Sequence, residues 1–176
     1  MLKRILDILI SILILILLFP ILLISYLMIL IIDRHNPFFS QYRSGLNFNK
    51  FKLYKFKSMK FNYSSNSLVV TKLGKLIRLL KIDELLQIFN VLKNEMSIVG
   101  PRPLYPDFDK YYKAKHKLRA KVKPGITGLA QIKLIDSTNW NVKFNYDVIY
   151  VKKLSTKLDI HIMNKTFIMI INSVFY

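Results

Sequence analysis

ILDILISILILILLFPILLISYLMILII, residues 5–32, is an apolar run of 28 residues in which isoleucine, leucine and phenylalanine predominate. Its few interruptions are Asp7, Ser11, Pro20, Ser25 and Tyr26. As an α-helix the run would be about 42 Å long, whereas about 20 residues suffice to cross the hydrocarbon core of a bilayer. The sequence therefore predicts a membrane anchor at residues 1–33, followed by a second domain at residues 34–176.

Pro20 lies near the middle of this run and predicts a break in the helix. A proline has no backbone N–H, and its ring crowds the carbonyl of Ile16 four residues earlier. Each half would be about 18–22 Å long, too short to cross a hydrocarbon core of about 30 Å. Basic side chains and a histidine flank both ends of the run, namely Lys3, Arg4, Arg34, His35 and Arg43. Because basic flanks favour the cytoplasm, they favour a re-entrant helix, with a kinked single span as the alternative.

The chain is strongly basic outside the apolar run. It has 176 residues, with 28 Lys and Arg against 10 Asp and Glu. Removal of residues 1–32 leaves 26 basic and 9 acidic residues, a formal charge of +17 (28 minus 2, and 10 minus 1). This charge suits anionic lipid, nucleotide-linked substrates and nucleic acid without choosing among them. Cysteine is absent, which excludes disulfides and thiolate metal sites.

Local patterns predict a mostly helical α+β domain with short strands and amphipathic helices. Alternating aromatic residues between positions 33 and 59 predict one or two strands around a turn at residues 46–50, and residues 62–67 are loop-like. Apolar residues at helical spacing predict helices at 72–80, 82–93, 107–122 and 158–175. The second helix would place Ile82, Leu85, Leu86 and Phe89 in the core, and the last would lie in the membrane interface or cap the core.

An adjacent acid pair, Asp83-Glu84, opens the second of these helices. Arg78 precedes the pair, and Arg102 follows it between two prolines. Such a site can hold a divalent metal ion, or use one carboxylate as a nucleophile while basic neighbours hold phosphates. An acid pair in a first helical turn can also serve only to complement the helix dipole. Arg78 and the helix start should both favour the ionised form of Asp83.

Six sequence blocks occur in one order along nearly the whole chain. They are KRILD (3–7), YKFKSM (54–59), LGKLIR (73–78), DELLQIFNVL (83–92), SIVGPRP (97–103) and KPGITGLAQ (123–131). With the apolar run and its Pro20, this set resembles the bacterial sugar transferase family, the small monotopic phosphoglycosyl transferases.

The resemblance implies an enzyme at the cytoplasmic face of the bacterial inner membrane. It would transfer a sugar phosphate from a nucleotide diphosphate sugar, usually a UDP-sugar, to polyprenol phosphate, releasing UMP and starting a surface glycan. Asp83 would attack the phosphate joined to the sugar and form a covalent phosphosugar enzyme, while Glu84 would hold Mg²⁺. The expected substrate-binding residues are Lys57, Arg78, Arg102, Lys123 and Gln131. Nucleic acid is not expected as a partner, and a homodimer is left open.

Two positions depart from the family pattern. Phe19 precedes Pro20 where the family commonly has a serine, whose hydroxyl can satisfy freed backbone groups. After Gln131 the chain reads IKLID (132–136) where the family often has an Asn-Gly-Arg segment linked to sugar recognition, so the sequence does not name the sugar. Two other hypotheses stay open: a non-catalytic membrane-tethered basic protein that binds anionic lipid or nucleic acid, and a catalytically inactive relative that acts as a scaffold.

Overall fold

A long apolar helix leads into a mixed domain of short helices and strands. The computed structural model describes residues 2–62, 66–134 and 139–175. The helices are α1 (Leu2–Met28), α2 (Lys72–Leu79), α3 (Gln87–Leu92), α4 (Leu129–Lys133), α5 (Trp140–Lys152) and α6 (Thr156–Phe175). The strands are β1 (Phe38–Ser44), β2 (Lys50–Phe56), β3 (Met59–Asn62), β4 (Ser67–Val70), β5 (Ser97–Val99) and β6 (Gly125–Thr127). The predicted class, mostly helical with a long apolar helix and short strands, is confirmed.

The described strands form three two-stranded sheets. β1 pairs antiparallel with β2, with Phe38 opposite Phe56, so the strand pair predicted around residues 46–50 is confirmed. β3 and β4 form a second antiparallel pair that the sequence analysis missed, and β5 runs parallel to β6. Of the loop predicted at residues 62–67, positions 63–65 lie outside the described residues.

One face of α1 packs against the domain along the length of the helix. Its buried residues are Asp7, Ser11, Leu22 and Ser25, and Ile29 in the following turn is also buried. At about 100° per residue these five positions fall within an arc of about 60°. Most residues on the other faces are exposed and apolar. Within the described residues, Leu2–Asp33 is the one helical stretch long and apolar enough to cross a membrane.

The helix break predicted at Pro20 is wrong for the backbone of α1. The helix continues through Pro20 to Met28, and the first irregularity is the wide π turn Ile29–Asp33. A proline removes one hydrogen bond, but a helix can accommodate it by bending without ending. Here both halves of α1 contribute buried residues to the packed face, which favours a continuous helix. Arg34, with a φ of 54° and a ψ of 42°, ends the turn in the left-handed conformation.

The polar residues at the start of α1 bind the domain. Lys3 Nζ donates a hydrogen bond to a carboxylate oxygen of Asp159 in α6 at 2.7 Å. Arg4 donates to two carbonyl oxygens at the end of α3, at 2.6 and 2.9 Å. The buried Asp7 carboxylate accepts hydrogen bonds from the hydroxyl of Ser97 and the N–H of Ile98. The start of the apolar helix is therefore fixed to the same domain that packs against its end.

The packed face of α3 differs from the prediction. α3 buries Gln87, Ile88, Asn90 and Val91, whereas Phe89, predicted in the core, is 43% exposed. Asn90 accounts for this orientation because its amide accepts a hydrogen bond from the N–H of Tyr54 and donates to a carbonyl oxygen of β2. A polar side chain thus takes the inward position, since it satisfies backbone groups of a neighbouring strand.

The helix predicted at residues 107–122 is also wrong. Two 3-10 segments, Pro106–Tyr111 and Ala114–Lys121, occupy this stretch, and Tyr112 and Lys113 are extended between them. Tyr112 and His116 are buried there, so the packing of individual rings replaces a continuous apolar helical face. By contrast, the predicted helix at 158–175 is confirmed as α6. Ile162 of α6 is fully buried in the core, while Phe167 is 66% exposed.

Gly100 and Gly125 lie backbone against backbone where β5 and β6 meet. The N–H of Gly100 donates to the carbonyl of Thr127 at 2.9 Å, and the N–H of Gly125 donates to the carbonyl of Pro101 at 3.0 Å. A Cβ on Gly125 would overlap the backbone nitrogen of Gly100, which cannot move without breaking these hydrogen bonds.

Gly125→Ala should therefore destabilise the protein by about 1–3 kcal/mol or more, the usual cost of overpacking. The measurement is the thermal unfolding temperature of the purified protein in detergent. Lys133→Ala, at an exposed position of α4, is the control and should leave that temperature unchanged. An unaltered unfolding temperature for Gly125→Ala would mean that β5 and β6 separate at little cost.

Candidate active site

The acid pair lies on a tight turn between α2 and α3. Ile82–Glu84 forms a 3-10 turn that follows Lys81, whose φ of 57° and ψ of 17° are left-handed. Such a conformation is uncommon for a residue other than glycine, and it occurs often at functional sites. The predicted helix at 82–93 thus begins as this turn, which places Asp83 and Glu84 beside β2.

Glu84 is held by two cations. Its Oε1 accepts hydrogen bonds from Lys55 Nζ at 2.9 Å and from Arg102 Nη2 at 2.7 Å. Its side chain is 17% exposed. Burial alone would raise the pKa of Glu84, but Arg102 and Lys55 outweigh burial and lower that pKa to about 2. Glu84 is therefore ionised at neutral pH, and its Oε1 is paired with two cations.

Asp83 has a different environment from its neighbour. Among the described residues, no group donates a hydrogen bond to the Asp83 carboxylate. Burial raises the pKa of Asp83 and the Glu84 charge raises it further, while Lys55 and Arg78 lower it without reversing the direction. The predicted effect of Arg78, which favours the ionised form, is confirmed in direction. Burial and Glu84 outweigh it.

Arg78 and Lys57 occupy different places relative to the acid pair. Arg78 lies close enough to affect the pKa of Asp83, and its Nε donates to the hydroxyl of Ser58 at 2.7 Å. Lys57 follows β2, and its backbone N–H donates to the carbonyl of Pro37 at 2.8 Å. No hydrogen bond or ion pair within the described residues joins the Lys57 side chain to the acid pair. Lys55, two residues earlier and within β2, makes that contact instead.

Within the described residues, no hydrogen bond or ion pair joins the side chain of Lys123 or Gln131 to the acid pair. Lys123 Nζ donates to the side-chain oxygen of Asn94, and its pKa is lowered by burial and by the nearby Arg4. Gln131 Nε2 donates to the carbonyl of Ile126 at 3.2 Å, while its Oε1 is buried without a partner among the described residues. Their roles in substrate binding stay predictions. The segment after Gln131 that departs from the family pattern lies partly outside the described residues, at positions 135–136.

Arg43 and Tyr105 extend the basic site beyond Arg102. The guanidinium carbon of Arg43 lies 3.5 Å from the centroid of the Tyr105 ring. Burial lowers the pKa of Arg43, and the charge of Arg102 lowers it further, whereas Glu84 raises it. Arg43 therefore belongs to the same electrostatic cluster as the acid pair. The sequence alone indicates Arg43 only as a basic flank of the apolar run.

Arg119 fixes the backbone at Arg102. Its Nη2 donates to the carbonyl oxygen of Arg102 at 2.6 Å, and its Nη1 donates to the hydroxyl of Tyr112 at 2.7 Å. Its Nε donates to Asp147 at 3.0 Å in an ion pair whose side chains are 7% and 5% exposed. Arg119 is thus a positioning residue for Arg102. No local pattern in the sequence identified it, because Asp147 lies 28 residues further along the chain.

The carboxylate oxygens of the acid pair suit Mg²⁺. This ion usually takes one or two protein carboxylates and completes its shell with water and substrate phosphate oxygens. Both cations bind the same oxygen of Glu84, Oε1, so Oε2 and the Asp83 carboxylate are the oxygens that could bind a metal. Across residues 2–62, 66–134 and 139–175, no three His, Cys, Asp or Glu side chains are grouped for metal binding. A site here would therefore depend on substrate oxygens.

Comparison with known proteins identifies the family. The model of the bacterial sugar transferase family matches residues 1–173. An uncharacterized sugar transferase, EpsL of Bacillus subtilis, is 47% identical over 132 residues, 72% of this chain and 65% of its own length. UDP-glucose:undecaprenyl-phosphate glucose-1-phosphate transferase of Klebsiella pneumoniae is 38% identical over 92% of this chain and 38% of its own length. UDP-N-acetylgalactosamine-undecaprenyl-phosphate N-acetylgalactosaminephosphotransferase of Aeromonas hydrophila is 36% identical over 93% of this chain and 42% of its own length.

The chain thus spans less than two thirds of the length of these three relatives. The family match nevertheless covers nearly every position of the chain, including the acid pair and the apolar helix. The chain belongs to the bacterial sugar transferase family.

Proposed function

We propose that this chain transfers a sugar phosphate from a UDP-sugar to undecaprenyl phosphate and so starts a surface polysaccharide or glycoconjugate. The Klebsiella and Aeromonas relatives both have a UDP-sugar and undecaprenyl phosphate in their names, which supports this donor and acceptor. Their sugars differ, so family membership does not select the sugar. The observation that carries the proposal is the inequality of the two acids: Glu84 is paired with two cations, whereas Asp83 has no hydrogen-bond donor among the described residues.

In the proposed reaction a carboxylate oxygen of Asp83 attacks the phosphorus that bears the sugar. A bond forms between this oxygen and phosphorus, and the bond from phosphorus to the bridging oxygen of the diphosphate breaks. UMP leaves with the bridging oxygen and its electron pair. A phosphate oxygen of the acceptor then attacks the same phosphorus, which frees Asp83 and gives undecaprenyl diphosphate sugar. The raised pKa of Asp83 suits this role, because a more basic carboxylate is a stronger nucleophile.

Charge neutralisation is the second requirement of phosphoryl transfer. Mg²⁺, held by Glu84, would neutralise phosphate oxygens and polarise the phosphorus towards attack. Arg102 is 47% exposed beside Glu84, so its guanidinium can turn towards a substrate phosphate. Lys55 pairs with Glu84 and keeps Glu84 ionised. Arg78 adds a positive charge near Asp83.

We propose that both ends of α1 lie on the cytoplasmic side of the membrane, with the continuous helix embedded through its exposed apolar faces. Its start is bound to α6 and its end packs in the same core cluster as Leu86, so both ends contact one domain. The remaining faces of α1 are apolar and suited to lipid. Because the chain has no cysteine, single cysteines at positions 2 and 36 can be labelled selectively. Labelling from the same side of a vesicle is expected, and labelling from opposite sides would require a span.

The transferase proposal is tested by incubating the purified protein with undecaprenyl phosphate, Mg²⁺ and a panel of UDP-sugars. At least one donor should yield UMP and a lipid-linked sugar. If no donor yields UMP, the protein is a non-catalytic binder of anionic lipid or nucleic acid, or an inactive scaffold. Omission of Mg²⁺ from the active reaction should stop UMP release. Unaltered UMP release in the presence of a chelator would mean that the reaction does not require Mg²⁺.

Lys55→Met should move the acid limb of the pH–rate profile to higher pH. Asp83 must be ionised to attack, so the rate falls as pH drops through the pKa of Asp83, which burial raises above 3.8. Loss of the Lys55 charge disfavours the ionised carboxylate and raises that pKa further. The measurement is adduct formation against pH, with Lys50→Met on the same strand as the control. An acid limb at the same pH in both variants would mean that Lys55 does not act on Asp83.

A further inference from the structure

An open groove of about 550 Å³ lies between β1 and α3. The residues that define this aromatic groove include Phe38, Phe39, Tyr54, Lys55, Phe89 and Lys93. Its volume is within the range of about 300–1,000 Å³ that small-molecule sites commonly have. It lies outside the cluster of acids and arginines described above, and it shares one residue, Lys55, with that cluster.

The groove exposes three phenylalanines together. Phe38 is 55% exposed, and Phe39 and Phe89 are each 43% exposed. Phe89 faces the groove because Asn90 takes the inward position on α3, so its exposure follows from the hydrogen bonds of Asn90 to β2. Grouped exposed aromatic rings are unfavourable in water and commonly mark a binding site.

One end of the groove reaches the acid pair. Lys55 lines the groove, and its Nζ donates to Glu84 Oε1 at 2.9 Å. The other lysine, Lys93, donates to the hydroxyl of Tyr54 at 2.8 Å and lies over the Tyr54 ring. The groove lining among the described residues contains these two cations and no carboxylate. It therefore favours a ligand that is apolar along its length and anionic at one end.

The groove also adjoins the membrane helix. The ring of Phe38 lies 5.6 Å, centroid to centroid, from the ring of Tyr26 in α1. Leu86, which lines the groove, belongs to the core cluster that contains Leu22 of α1 and Ile29 of the turn after it. An apolar chain in this groove would thus extend from the Lys55 end towards α1.

We propose that the aromatic groove binds the isoprenoid units next to the phosphate of the acceptor, with that phosphate at the Lys55 end. This inference rests on the proposed function, because it names where the lipid acceptor of that reaction lies. A nucleotide is a poor occupant, since its ribose and phosphates need polar partners that three phenylalanines do not supply. Arg102 and Arg43 are better suited to bind the phosphates of the donor, and they form one cluster with Tyr105 and Glu84.

The test separates the two half-reactions. Phe89→Ala should raise the KM for undecaprenyl phosphate roughly tenfold, the loss expected when one phenyl contact is removed. The phosphosugar adduct formed with the donor alone should be unchanged, because the donor does not use the groove. With geranyl phosphate, whose short chain fills little of the groove, the variant and the original protein should differ much less. If Phe89→Ala does not fold, Phe39→Ser, which changes a groove residue on β1, should raise the same KM.

Phe61→Ala is the matched control, since Phe61 is 45% exposed and lies outside the groove. It should leave the KM for undecaprenyl phosphate unchanged. An unchanged KM in both Phe89→Ala and Phe39→Ser would overturn the assignment of the groove, even though the enzyme transfers sugar phosphate. A loss of adduct formation in these two variants would assign the groove to the donor instead. Absence of both the adduct and UMP release in the original protein would overturn the proposed function itself.

Discussion

Asp83→Asn should abolish UMP release and the covalent phosphosugar adduct together, lowering turnover at least about 10⁴-fold, as is typical when a catalytic nucleophile is removed. The amide is close in size to the carboxylate but is a far weaker nucleophile. Because Asp83 accepts no hydrogen bond from the described residues, the substitution breaks no polar contact of the fold within that part of the chain. Loss of activity in Asp83→Asn would therefore reflect loss of the nucleophile and not a loss of protein stability.

The measurement is intact-protein mass spectrometry after incubation with donor alone, together with a UMP assay. Asp107→Asn makes the same chemical change at an exposed acid outside the site and should retain both signals. If the adduct persists in Asp83→Asn, another residue is the nucleophile. If UMP is released without an adduct in the original protein, the transfer is direct and Asp83 acts as a base or a metal ligand.

Much of the candidate site could be predicted because its central residues lie in short motifs. Asp83, Glu84, Arg78 and Arg102 were each identified from sequence, and the structure brings all four together. Lys55 was missed because its partner Glu84 is 29 residues away, and the neighbouring lysine, Lys57, was chosen instead. Local spacing cannot tell which of two nearby lysines reaches an acid on a distant turn.

Hydrogen bonds explain why the core of α3 could not be predicted from apolar spacing. That spacing favoured Phe89 as a core residue and gave no role to Asn90. In the structure Asn90 is fully buried because its amide joins α3 to β2, an interaction that depends on the tertiary arrangement. The exposure of Phe89, on which the aromatic groove depends, therefore cannot be predicted from hydropathy alone.

The polar residues of the apolar run illustrate the same limit. Composition was enough to predict the long helix, and in the sequence Asp7, Ser11 and Ser25 were only interruptions of it. In the structure all three are buried on the face of α1 that packs against the domain. The run thus carries two kinds of information: its apolar residues suit lipid, and its few polar residues mark the face turned towards protein.

Arg119→Met should lower the free energy of unfolding by about 3–5 kcal/mol, because it leaves Asp147 buried without its cation. Burial already raises the pKa of Asp147 with Arg119 present, and the substitution raises it further. The folded variant then binds a proton that the unfolded chain releases, so its stability falls as pH rises above the ordinary aspartate range. Thermal unfolding should therefore show a larger deficit at about pH 8 than at about pH 5. A deficit that does not change with pH would mean that the substitution does not raise the pKa of Asp147 further.

The double variant Arg119→Met/Asp147→Leu separates stability from positioning. Replacing both members of a buried ion pair by apolar residues is often neutral or stabilising, so the unfolding temperature should recover. Activity should not recover, since the hydrogen bond from Arg119 to the carbonyl of Arg102 is still absent and the guanidinium of Arg102 is no longer held beside Glu84. The expected signature is a raised KM for the UDP-sugar in a stable protein. Recovery of both stability and KM would show instead that Arg119 serves the fold alone and that the two prolines flanking Arg102 suffice to position it.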